Sequence, residues 1–585
     1  MNKRTFLELI KSSTKIVFEF SKYYLVSCIL INIINNILPI YILNLEKNLI
    51  NGMVTNKSFN GIVFFLILYL LFNSLGEFFS QLDSYLTTIY QKQFGYQINQ
   101  KIIKKINKIP IDFFDTPKYL DILKSVQFNS YSIMSVILMS VSLLGNIISL
   151  SIVFFIICKY NYLYALILLV VSIPSAIINK YYSSKGFEWH INTLKEERKL
   201  NYVHSLYQEK KFSQELKLYN YSGFFIKKCE KIQEYCLLGF KKIYKTKLAY
   251  LSITNLIPDL CIFLFLFNMI FYLKNYSLDV GNFVFYSGLF FSLKSKVSVI
   301  ILNISAVYED KLRLNTIFDF FDIEEELSDN TIIAGKSLKS IDTIEFKSVY
   351  FKYGESEKFV IEDLNFKIKK GEKVCILGIN GSGKSTIVKL LLRFYRTTKG
   401  KILINGVDIN EYDIRNLRSM FSVYFQVQPN YAISIKENIM LTNMDGDVKK
   451  IPFYFKFLNA ENLFNKFNYG INTELYKLFD SKGYEPSIGE EQKLGLIRTL
   501  FGNRDVLILD EPTSALDLKS ENVFYKNIKS ELSDKTILFI THKLKGIKEA
   551  DKIILINNGK LIDIGRHEEL YNRCTMYSNL YNMKD

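Results

Sequence analysis

The sequence predicts an N-terminal domain of six membrane-spanning α-helices with long cytoplasmic extensions, followed by a C-terminal α/β domain. Two observations carry this prediction. The first 310 of the 585 residues contain long apolar runs with few charges, whereas the remainder has the composition of a soluble α/β protein. In that remainder, a glycine-rich segment at 378–386 lies between a strand-like apolar run and one with helical spacing. Because this length exceeds a single core, we expect a transmembrane domain at 1–310, a linker at 311–340 and the α/β domain at 341–585.

Six apolar runs predict the membrane-spanning helices. A helix needs about 20 apolar residues to cross a bilayer, and each run reaches or approaches that length. The second and sixth runs are the least uniform, because Glu77 ends one and Lys294 and Lys296 lie inside the other. The six runs are Tyr23–Leu45, Gly61–Gly76, Ile133–Ile157, Tyr162–Ile178, Leu248–Leu273 and Phe283–Ala306.

The placement of the basic residues predicts the orientation in the lipid bilayer. A formal net charge of +17 would by itself be compatible with nucleic-acid binding. The lysines, however, crowd into the N-terminus and two long polar segments, 92–130 and 181–247, while the other connections are short and carry few charges. Basic segments stay on the cytoplasmic side. We therefore predict a multi-pass cell-membrane protein with both termini in the cytoplasm, cytoplasmic helix extensions in the two polar segments, and no nucleic-acid partner.

The α/β domain carries a phosphate-binding pattern. Residues 378–386 fit G-x-x-x-x-G-K-[ST] in a strand–loop–helix context, where backbone N–H groups and a helix N-terminus surround a triphosphate. Lys384 would reach the β- and γ-phosphates, and Ser385 would hold Mg²⁺. The alternative is a glycine-rich turn with a chance lysine. The predicted ATP-binding residues of the loop are Gly378, Asn380, Gly381, Ser382, Gly383, Lys384, Ser385 and Thr386.

Polar residues follow two further strand-like runs. Asp510 and Glu511 follow the apolar run 506–509, and a carboxylate pair at the carboxyl end of a parallel strand lies where such sheets bind ligands. Asp510 would hold Mg²⁺ through water, and Glu511 could polarise the attacking water. His542 follows the run 536–540 and could contact the γ-phosphate. The sequence thus predicts an ATP-hydrolysing site with ATP and Mg²⁺ as cofactors.

Two more candidate residues stand at the ends of strand-like runs. Gln426 follows the run 422–425, and the run Val349–Tyr353 alternates like an edge strand. Tyr353 could stack on a base, although an aromatic residue in a strand can also belong to the core. The following segments, in this order, resemble the ATP-binding cassette family: Tyr353, Gly378–Thr386, Gln426, Ser487–Gln492, Asp510-Glu511, Ser514-Ala515-Leu516-Asp517 and His542.

Six spans before one such cassette resemble the exporter-type half-transporters of that family. The resemblance implies that Tyr353 stacks on adenine and that Gln426 links Mg²⁺ to the membrane domain. It also implies that Glu511 is the general base, that His542 senses the γ-phosphate and that Asp517 lies at a dimer contact. Two cassettes of this family close head to tail, and each ATP is held between one phosphate loop and the signature segment of the opposite cassette.

The signature segment departs from the family pattern. Leu-Ser-Gly-Gly-Gln aligns with Pro486–Glu490, in which Ser487 and Gly489 remain to supply a hydroxyl and a backbone N–H to the opposing γ-phosphate. Ile488 replaces a glycine whose role is close backbone approach, and a β-branched side chain there could hinder closure. Glu490 adds a negative charge near phosphate. We expect slow hydrolysis rather than none.

The resulting prediction is an ATP-driven exporter. Phe113-Phe114-Asp115 and Asn201-Tyr202 resemble segments of bacterial peptide, bacteriocin or antibiotic exporters, which indicates a cargo of that class. Lipid or amphiphilic-drug export is the alternative, and an ATP-gated channel or a sensor without transport is a further one. Retention of Lys384, Glu511 and His542 favours a hydrolysing pump, because a switch could function without the base.

A single cassette does not complete an ATP site, so a second half-transporter is required. A homodimer is the simpler assumption. A heterodimer is the alternative, because Glu511 combined with an altered signature resembles one half of the asymmetric exporters of the family. Lys294 and Lys296 are predicted to bind anionic or polar groups of the cargo, or else to snorkel or to pair with Glu77 or Asp83.

Overall fold

The computed structural model describes residues 6–55, 58–116, 119, 122–123, 126, 130–276, 279–326, 335–354, 356–513, 516–541 and 547–582. The chain forms two compact units. The first contains Met1–Ile106 and Lys118–Ile323, and the second contains Asn107–Pro117 and Glu324–Asp585. The segment 107–117 therefore belongs to the second unit, although it lies between two long helices of the first.

Helices are the only regular secondary structure among the described residues of the first unit. Four of its helices are longer than 40 residues, and α4 is a single turn in the segment that belongs to the second unit. The helices of this half of the sequence are α1 (Phe6–Phe20), α2 (Lys22–Val54), α3 (Phe59–Ile106), α4 (Ile111–Phe114), α5 (Ser132–Gln208), α6 (Lys210–Leu218), α7 (Ser222–Tyr276) and α8 (Val280–Phe321).

Among the described residues, five helices are long and apolar enough to cross a membrane, namely α2, α3, α5, α7 and α8. They contain all six predicted runs, because α5 includes two of them. Asn161 interrupts α5 with φ −158° and ψ 111°, and its Oδ1 accepts a hydrogen bond of 2.9 Å from the Leu163 N–H. This side-chain cap begins the second helical part of α5.

The helices continue beyond their apolar runs, as predicted for cytoplasmic extensions. α3 runs on to Ile106, α5 runs on to Gln208, and α7 begins at Ser222, well before its apolar part. α6 and a short turn join α5 to α7. The polar segments 92–130 and 181–247 are thus largely helical within the described residues.

The core of the first unit lies where α5, α7 and α8 pack together with α2. In contrast, no residue in the most apolar 18-residue window of α3 is buried. An exposed apolar face of this kind suits contact with lipid. The core residues include Ile40, Val153, Leu168, Met269, Leu289 and Leu293.

The second unit contains two sheets. The six-stranded sheet has the order β10-β9-β3-β8-β7-β6, and the four-stranded sheet has the order β2-β1-β4-β5. The strands are β1 (Thr343–Phe351), β2 (Ile361–Lys369), β3 (Lys373–Gly378), β4 (Lys399–Ile404), β5 (Val407–Asp408), β6 (Phe421–Tyr424), β7 (Val506–Asp510), β8 (Thr536–Ile540), β9 (Lys552–Asn557) and β10 (Lys560–Gly565).

Helices lie between these strands, so the unit has the predicted α/β architecture. They are α9 (Lys384–Leu391), α10 (Ile414–Ser419), α11 (Ile435–Met440), α12 (Ile451–Phe457), α13 (Glu461–Phe464), α14 (Ile488–Phe501), α15 (Leu518–Glu531), α16 (His567–Arg573) and α17 (Thr575–Asn582).

The six-stranded sheet places several strand ends at one edge. β9, β3, β8, β7 and β6 are parallel, and β10 is antiparallel to β9. Every residue of β7 and β8 is buried, as expected for parallel strands covered on both faces. Gly378, Tyr424, Asp510 and Ile540 are the last residues of β3, β6, β7 and β8. The carboxyl ends of these strands are where such a sheet binds ligands.

The prediction of an edge strand at Val349–Tyr353 is wrong. β1 ends at Phe351 and pairs with β2 on one side and β4 on the other. Its alternation arises because Phe346, Val349 and Phe351 point into the core, while residues between them are partly or fully exposed. A period of two reports a strand with one buried face, not its position in the sheet.

Candidate functional site

The loop at residues 378–386 joins β3 to α9 with the predicted strand–loop–helix geometry. Gly381 and Gly383 have φ angles of 79° and 98°, in a region that L side chains rarely adopt. A side chain at Gly383 would also approach the Ile361 Cδ1 to 2.6 Å. α9 begins at Lys384, so its free N–H groups face the loop and favour an anion there.

The ammonium group of Lys384 lies over this loop. Its Nζ donates hydrogen bonds to the carbonyl oxygens of Gly378 at 3.0 Å and Ile379 at 2.9 Å. Burial lowers the pKa of Lys384, and the nearby carboxylates of Glu511 and Asp510 oppose this shift. A phosphate group would supply the negative charge that a half-buried ammonium favours.

Three other loop residues differ in their exposure. Asn380 is exposed, whereas Ser382 and Thr386 are buried. The Ser382 hydroxyl has no hydrogen-bond partner within the described part of the chain, and buried hydroxyls are normally satisfied. It is thus a polar group that a phosphate oxygen could satisfy.

Oxygen ligands suited to Mg²⁺ meet at the end of β7. The Ser385 hydroxyl donates to the Asp510 Oδ2 at 3.2 Å, and Asp510 is buried. Burial raises the pKa of Asp510, while the Ser385 hydrogen bond lowers it and Glu511 raises it further. The described residues contain no group of three or more His, Cys, Asp and Glu side chains that could hold a metal alone. Mg²⁺ commonly takes one or two protein carboxylates together with phosphate oxygens and water, so these residues fit it.

Glu511 is held beside this pair. The Gln426 Nε2 donates to the Glu511 Oε2 at 3.1 Å, and the Glu511 N–H donates to the Ile540 carbonyl at 2.8 Å. The Glu511 backbone has φ 52°, a strained conformation for a residue with a side chain. The ends of three strands, β6, β7 and β8, thereby fix the position of one carboxylate next to the loop.

Tyr353 lies just beyond β1 and contacts α9. Its hydroxyl is 3.1 Å from the Thr386 Oγ1, and its ring packs edge-on against Tyr395 with ring centroids 5.1 Å apart. The Lys389 Nζ is 5.5 Å from the centre of the Tyr353 ring. The side chain is half-buried against the core, so it combines core packing with a position beside the loop helix.

The signature segment begins helix α14. Ser487 is its N-cap, and Ile488, the first residue of the helix, is 77% exposed. The Ser487 N–H donates to the Glu490 carboxylate, and the Ser487 hydroxyl accepts from the Glu490 N–H. Within the described residues, no hydrogen bond joins Ser487 or Gly489 to the phosphate loop. The single chain therefore brings together the phosphate loop, Gln426 and the two strand-end carboxylates, but not the signature segment.

Glu490 is a structural residue of the helix start. Its carboxylate accepts from the Ser487 N–H at 2.8 Å, which completes a capping box, and it pairs with Lys466 at 2.8 Å. Burial raises the pKa of Glu490, but the hydrogen bonds from Lys466, Ser487 and Tyr484 dominate and lower it to about 2. Glu490 is thus a charged helix cap paired with Lys466, and its expected position near the phosphate of an opposing cassette stays a prediction.

Three of the remaining predicted residues, His542, Ser514 and Ala515, lie outside the described residues. Asp517 is the N-cap of α15, and its carboxylate accepts from the Ser520 N–H at 3.4 Å. The predicted contact of His542 with the γ-phosphate and the predicted dimer contact at Asp517 stay predictions.

The sequence reasoning missed how the segment 107–117 is held within the second unit. The Tyr395 hydroxyl donates a hydrogen bond to the Asp115 Oδ2. At the other end of the segment, the Lys108 carbonyl accepts from the Glu326 N–H at 2.8 Å, and the Glu326 carboxylate pairs with Arg418 at 3.2 Å. No local pattern in the sequence indicates these contacts, because each joins residues far apart along the chain.

Comparison with known proteins assigns the class. Residues 361–514 match the protein family described as ABC transporter. The chain is 29% identical to the subtilin transport ATP-binding protein SpaT of Bacillus subtilis, over 97% of this chain and 92% of that protein. It is 26% identical to the nisin transport ATP-binding protein NisT of Lactococcus lactis subsp. lactis, over 97% of this chain and 95% of that protein.

A solved structure described as a bacterial Atm1-family ABC exporter with ATP bound has the same fold. The TM-score is 0.77 at 21% identity, and the match covers 96% of this chain and 98% of the other. The fold and site define a multi-pass membrane protein with one ATP-binding domain. Residues 361–514 thus form an ABC transporter ATPase domain, and the chain is similar along almost its whole length to transport ATP-binding proteins, which supports a half-transporter that couples ATP hydrolysis to export.

Proposed function

We propose that this half-transporter exports a peptide of the bacteriocin type. The observation that carries the proposal is the length of the similarity to SpaT and NisT, which includes the membrane helices as well as the ATPase domain. Relatives described as putative multidrug export proteins match over only 57% or 41% of this chain. Because an exporter binds its cargo in the membrane part, similarity across that part is the relevant support for a cargo class.

We further propose the roles of the site residues in hydrolysis. Glu511 acts as general base on the attacking water, and the Gln426 amide orients its carboxylate through the hydrogen bond of 3.1 Å. Lys384 and the loop N–H groups bind the phosphates, and Tyr353 stacks on the adenine ring of ATP. Mg²⁺, when bound through Ser385 and Asp510, would neutralise charge that develops on the phosphates. His542 would contact the γ-phosphate.

The working unit under this proposal is a homodimer with its N- and C-termini in the cytoplasm. Ser487 and Gly489 of a second copy would close over the ATP held by the first. The exposure of Ile488 at the start of α14 supports a role for this helix end at an interface. A heterodimer with a related half-transporter is the alternative.

Transport into inside-out membrane vesicles tests the proposed function. Labelled nisin should accumulate when ATP and Mg²⁺ are added, and vesicles carrying the Glu511→Gln variant should not accumulate it. ATP-dependent movement of fluorescent lipids or drugs without peptide uptake would instead establish the alternative cargo class. An ATP-dependent ion current without accumulation of any cargo would identify a channel.

A further inference from the structure

A cluster of polar side chains lies between three membrane helices of the first unit. We call it the amide cluster, since four of its seven members are asparagines. It joins α2, α5 and α8, which pack against one another. Its members are Asn32 and Asn36 of α2, Ser142, Asn146 and Ser149 of α5, and Lys296 and Asn303 of α8.

Lys296 is the charged member of the cluster. Its Nζ donates to the Asn36 Oδ1 at 2.6 Å, and the Asn36 Nδ2 donates to the Asn32 carbonyl at 2.8 Å and to the Asn32 Oδ1 at 3.2 Å. The Ser149 hydroxyl donates to the Asn36 carbonyl at 2.9 Å. Asn36 is buried, and these bonds fix its amide with the oxygen towards Lys296.

The surrounding helix packing is shaped around these amides. A side chain added at Gly145 of α5 would collide with the Asn32 amide and would come within 2.8 Å of the Asn36 Nδ2. α5 thus packs tightly on α2 where the two asparagines lie, and the glycine makes room for them. The position of the amide next to Lys296 is a built feature of the helix interface.

Lys294 and Lys296 differ in their charge balance. Lys294 forms an ion pair with Asp259 of α7, so its charge is compensated, although not by the Glu77 or Asp83 considered from the sequence. The hydrogen-bond partner recorded for Lys296 in the described residues is a neutral amide. The runs 23–45 of α2 and 133–157 of α5 contain no charged residue at all. An uncompensated charge within a membrane is costly unless it faces water or a counter-charge.

We propose that Lys296, positioned by Asn36, binds a carboxylate of the exported cargo. The inference rests on the proposed peptide export for the identity of the cargo. A lysine has three N–H donors, and a carboxylate would accept from those that Asn36 leaves free while balancing the charge. Lys296 is half-buried, so part of its side chain remains accessible. The amide cluster thus supplies a fixed cation in an apolar interior, which selects an anionic group on an otherwise amphiphilic cargo.

The test measures binding to the purified full chain in lipid nanodiscs without ATP. The probes are one peptide free of acidic side chains, with either a C-terminal carboxylate or a C-terminal amide. The wild-type protein should bind the carboxylate form about 10-fold more tightly, which corresponds to one hydrogen-bonded charge pair. Lys296→Gln should remove this preference. Lys294→Gln, the same substitution two residues away, should retain it.

A second variant keeps the test decisive if Lys296→Gln does not fold. Asn36→Asp keeps the number of non-hydrogen atoms in the side chain and places a carboxylate beside Lys296. The charge of Lys296 is then balanced within the protein. This variant exchanges the two Nδ2 hydrogen bonds to Asn32 for an ion pair with Lys296, and size-exclusion chromatography and circular dichroism verify its fold. It should lose the preference for the carboxylate peptide. Lys296→Arg should retain most of the preference, because it keeps the charge.

A second pair of probes, dodecanoic acid and its methyl ester, separates the site from the cargo class. Suppose that the wild-type protein prefers dodecanoic acid to its ester, that Lys296→Gln removes this preference, and that neither peptide binds. This result would contradict the peptide proposal and support the carboxylate site. Absence of an acid preference in both pairs, or its loss in Lys294→Gln to the same extent, would overturn the site. A third result would identify a lipid-headgroup site instead. In that case neither pair shows an acid preference, but the wild-type protein binds anionic phospholipid more tightly than neutral phospholipid, and Lys296→Gln removes that difference.

Discussion

The hydroxyl of Tyr395 donates a hydrogen bond to the carboxylate of Asp115, and the same tyrosine ring packs edge-on against Tyr353. The hydroxyl of Tyr353 is in turn 3.1 Å from the Thr386 Oγ1 in α9. Burial and the neighbouring Asp115 raise the pKa of Tyr395, so its hydroxyl stays protonated as the donor. A continuous series of side-chain contacts therefore runs from the segment that follows α3 to the helix of the phosphate loop.

From this series of contacts we predict that Tyr395→Phe weakens the coupling between cargo binding and ATP hydrolysis. The change removes one oxygen and leaves the ring contacts with Tyr353 in place. Loss of a hydrogen bond to a charged group costs about 1.5–3 kcal/mol, which weakens the attachment of Asp115. Stimulation of ATPase activity by cargo should fall by about 10-fold, while the Kd for ATP should change by less than about 2-fold.

A double-mutant cycle supplies the control for that prediction. Asp115→Ala removes the acceptor, so adding it to Tyr395→Phe should cause little further loss of stimulation. Asp115→Asn keeps an acceptor oxygen and should be milder than Asp115→Ala. Fully additive losses would show that the two residues act separately.

Glu511→Gln is expected to stop hydrolysis without preventing ATP binding. The amide cannot accept a proton from water, and loss of a general base usually lowers the rate by at least ~100-fold. Steady-state ATPase activity of the purified protein measures the loss, and retention of a fluorescent ATP analogue measures binding. Gln426→Ala removes the donor that orients Glu511 and should give a smaller loss. Undiminished ATPase activity in Glu511→Gln would require another base.

Lys384→Ala is expected to weaken ATP binding itself. The ammonium group lies over the loop carbonyls, where it would contact the phosphates directly, and a charged hydrogen bond is worth about 1.5–3 kcal/mol. The Kd for ATP, from equilibrium titration, should therefore rise by about 10-fold or more. Lys401→Ala removes an exposed lysine of the same unit and serves as the control, with an unchanged Kd. Equal affinities in the two variants would contradict the assignment.

The local chemistry of the nucleotide site could be predicted from the sequence, because each residue follows a recognisable strand or begins a helix. Ser385 and Asp510 are 125 positions apart, yet parallel strand ends meet at one sheet edge and the structure places them within hydrogen-bond distance. The capping box at 487–490 is equally local, and it gives Glu490 a role at the helix start that the sequence analysis does not assign.

Contacts that depend on which helices become neighbours could not be predicted in this way. Asp115 and Tyr395 lie 280 positions apart, and neither belongs to a motif. For Lys294 the sequence offered Glu77 or Asp83, whereas the structure pairs it with Asp259 because α7 packs beside α8. Apolar runs reveal that a helix enters the membrane but contain no information about which face meets which neighbour.

The last prediction concerns Ile488 and the identity of the second half-transporter. Ile488 is 77% exposed, so Ile488→Gly removes little packing within this chain and costs at most about 1 kcal/mol of helix propensity. In a homodimer both ATP sites contain this residue, and restoring the close backbone approach should raise ATPase turnover; relief of ~1 kcal/mol corresponds to about 5-fold.

Glu490→Gln is the matched control in the same segment, since glutamine preserves the capping box and should leave turnover within about 2-fold. The decisive measurements are the mass of the purified protein by light scattering and the ATPase rates of both variants. A dimer that Ile488→Gly accelerates establishes the homodimer with Ile488 as a brake. A monomeric or inactive preparation that gains activity only with a related half-transporter would establish the heterodimer instead.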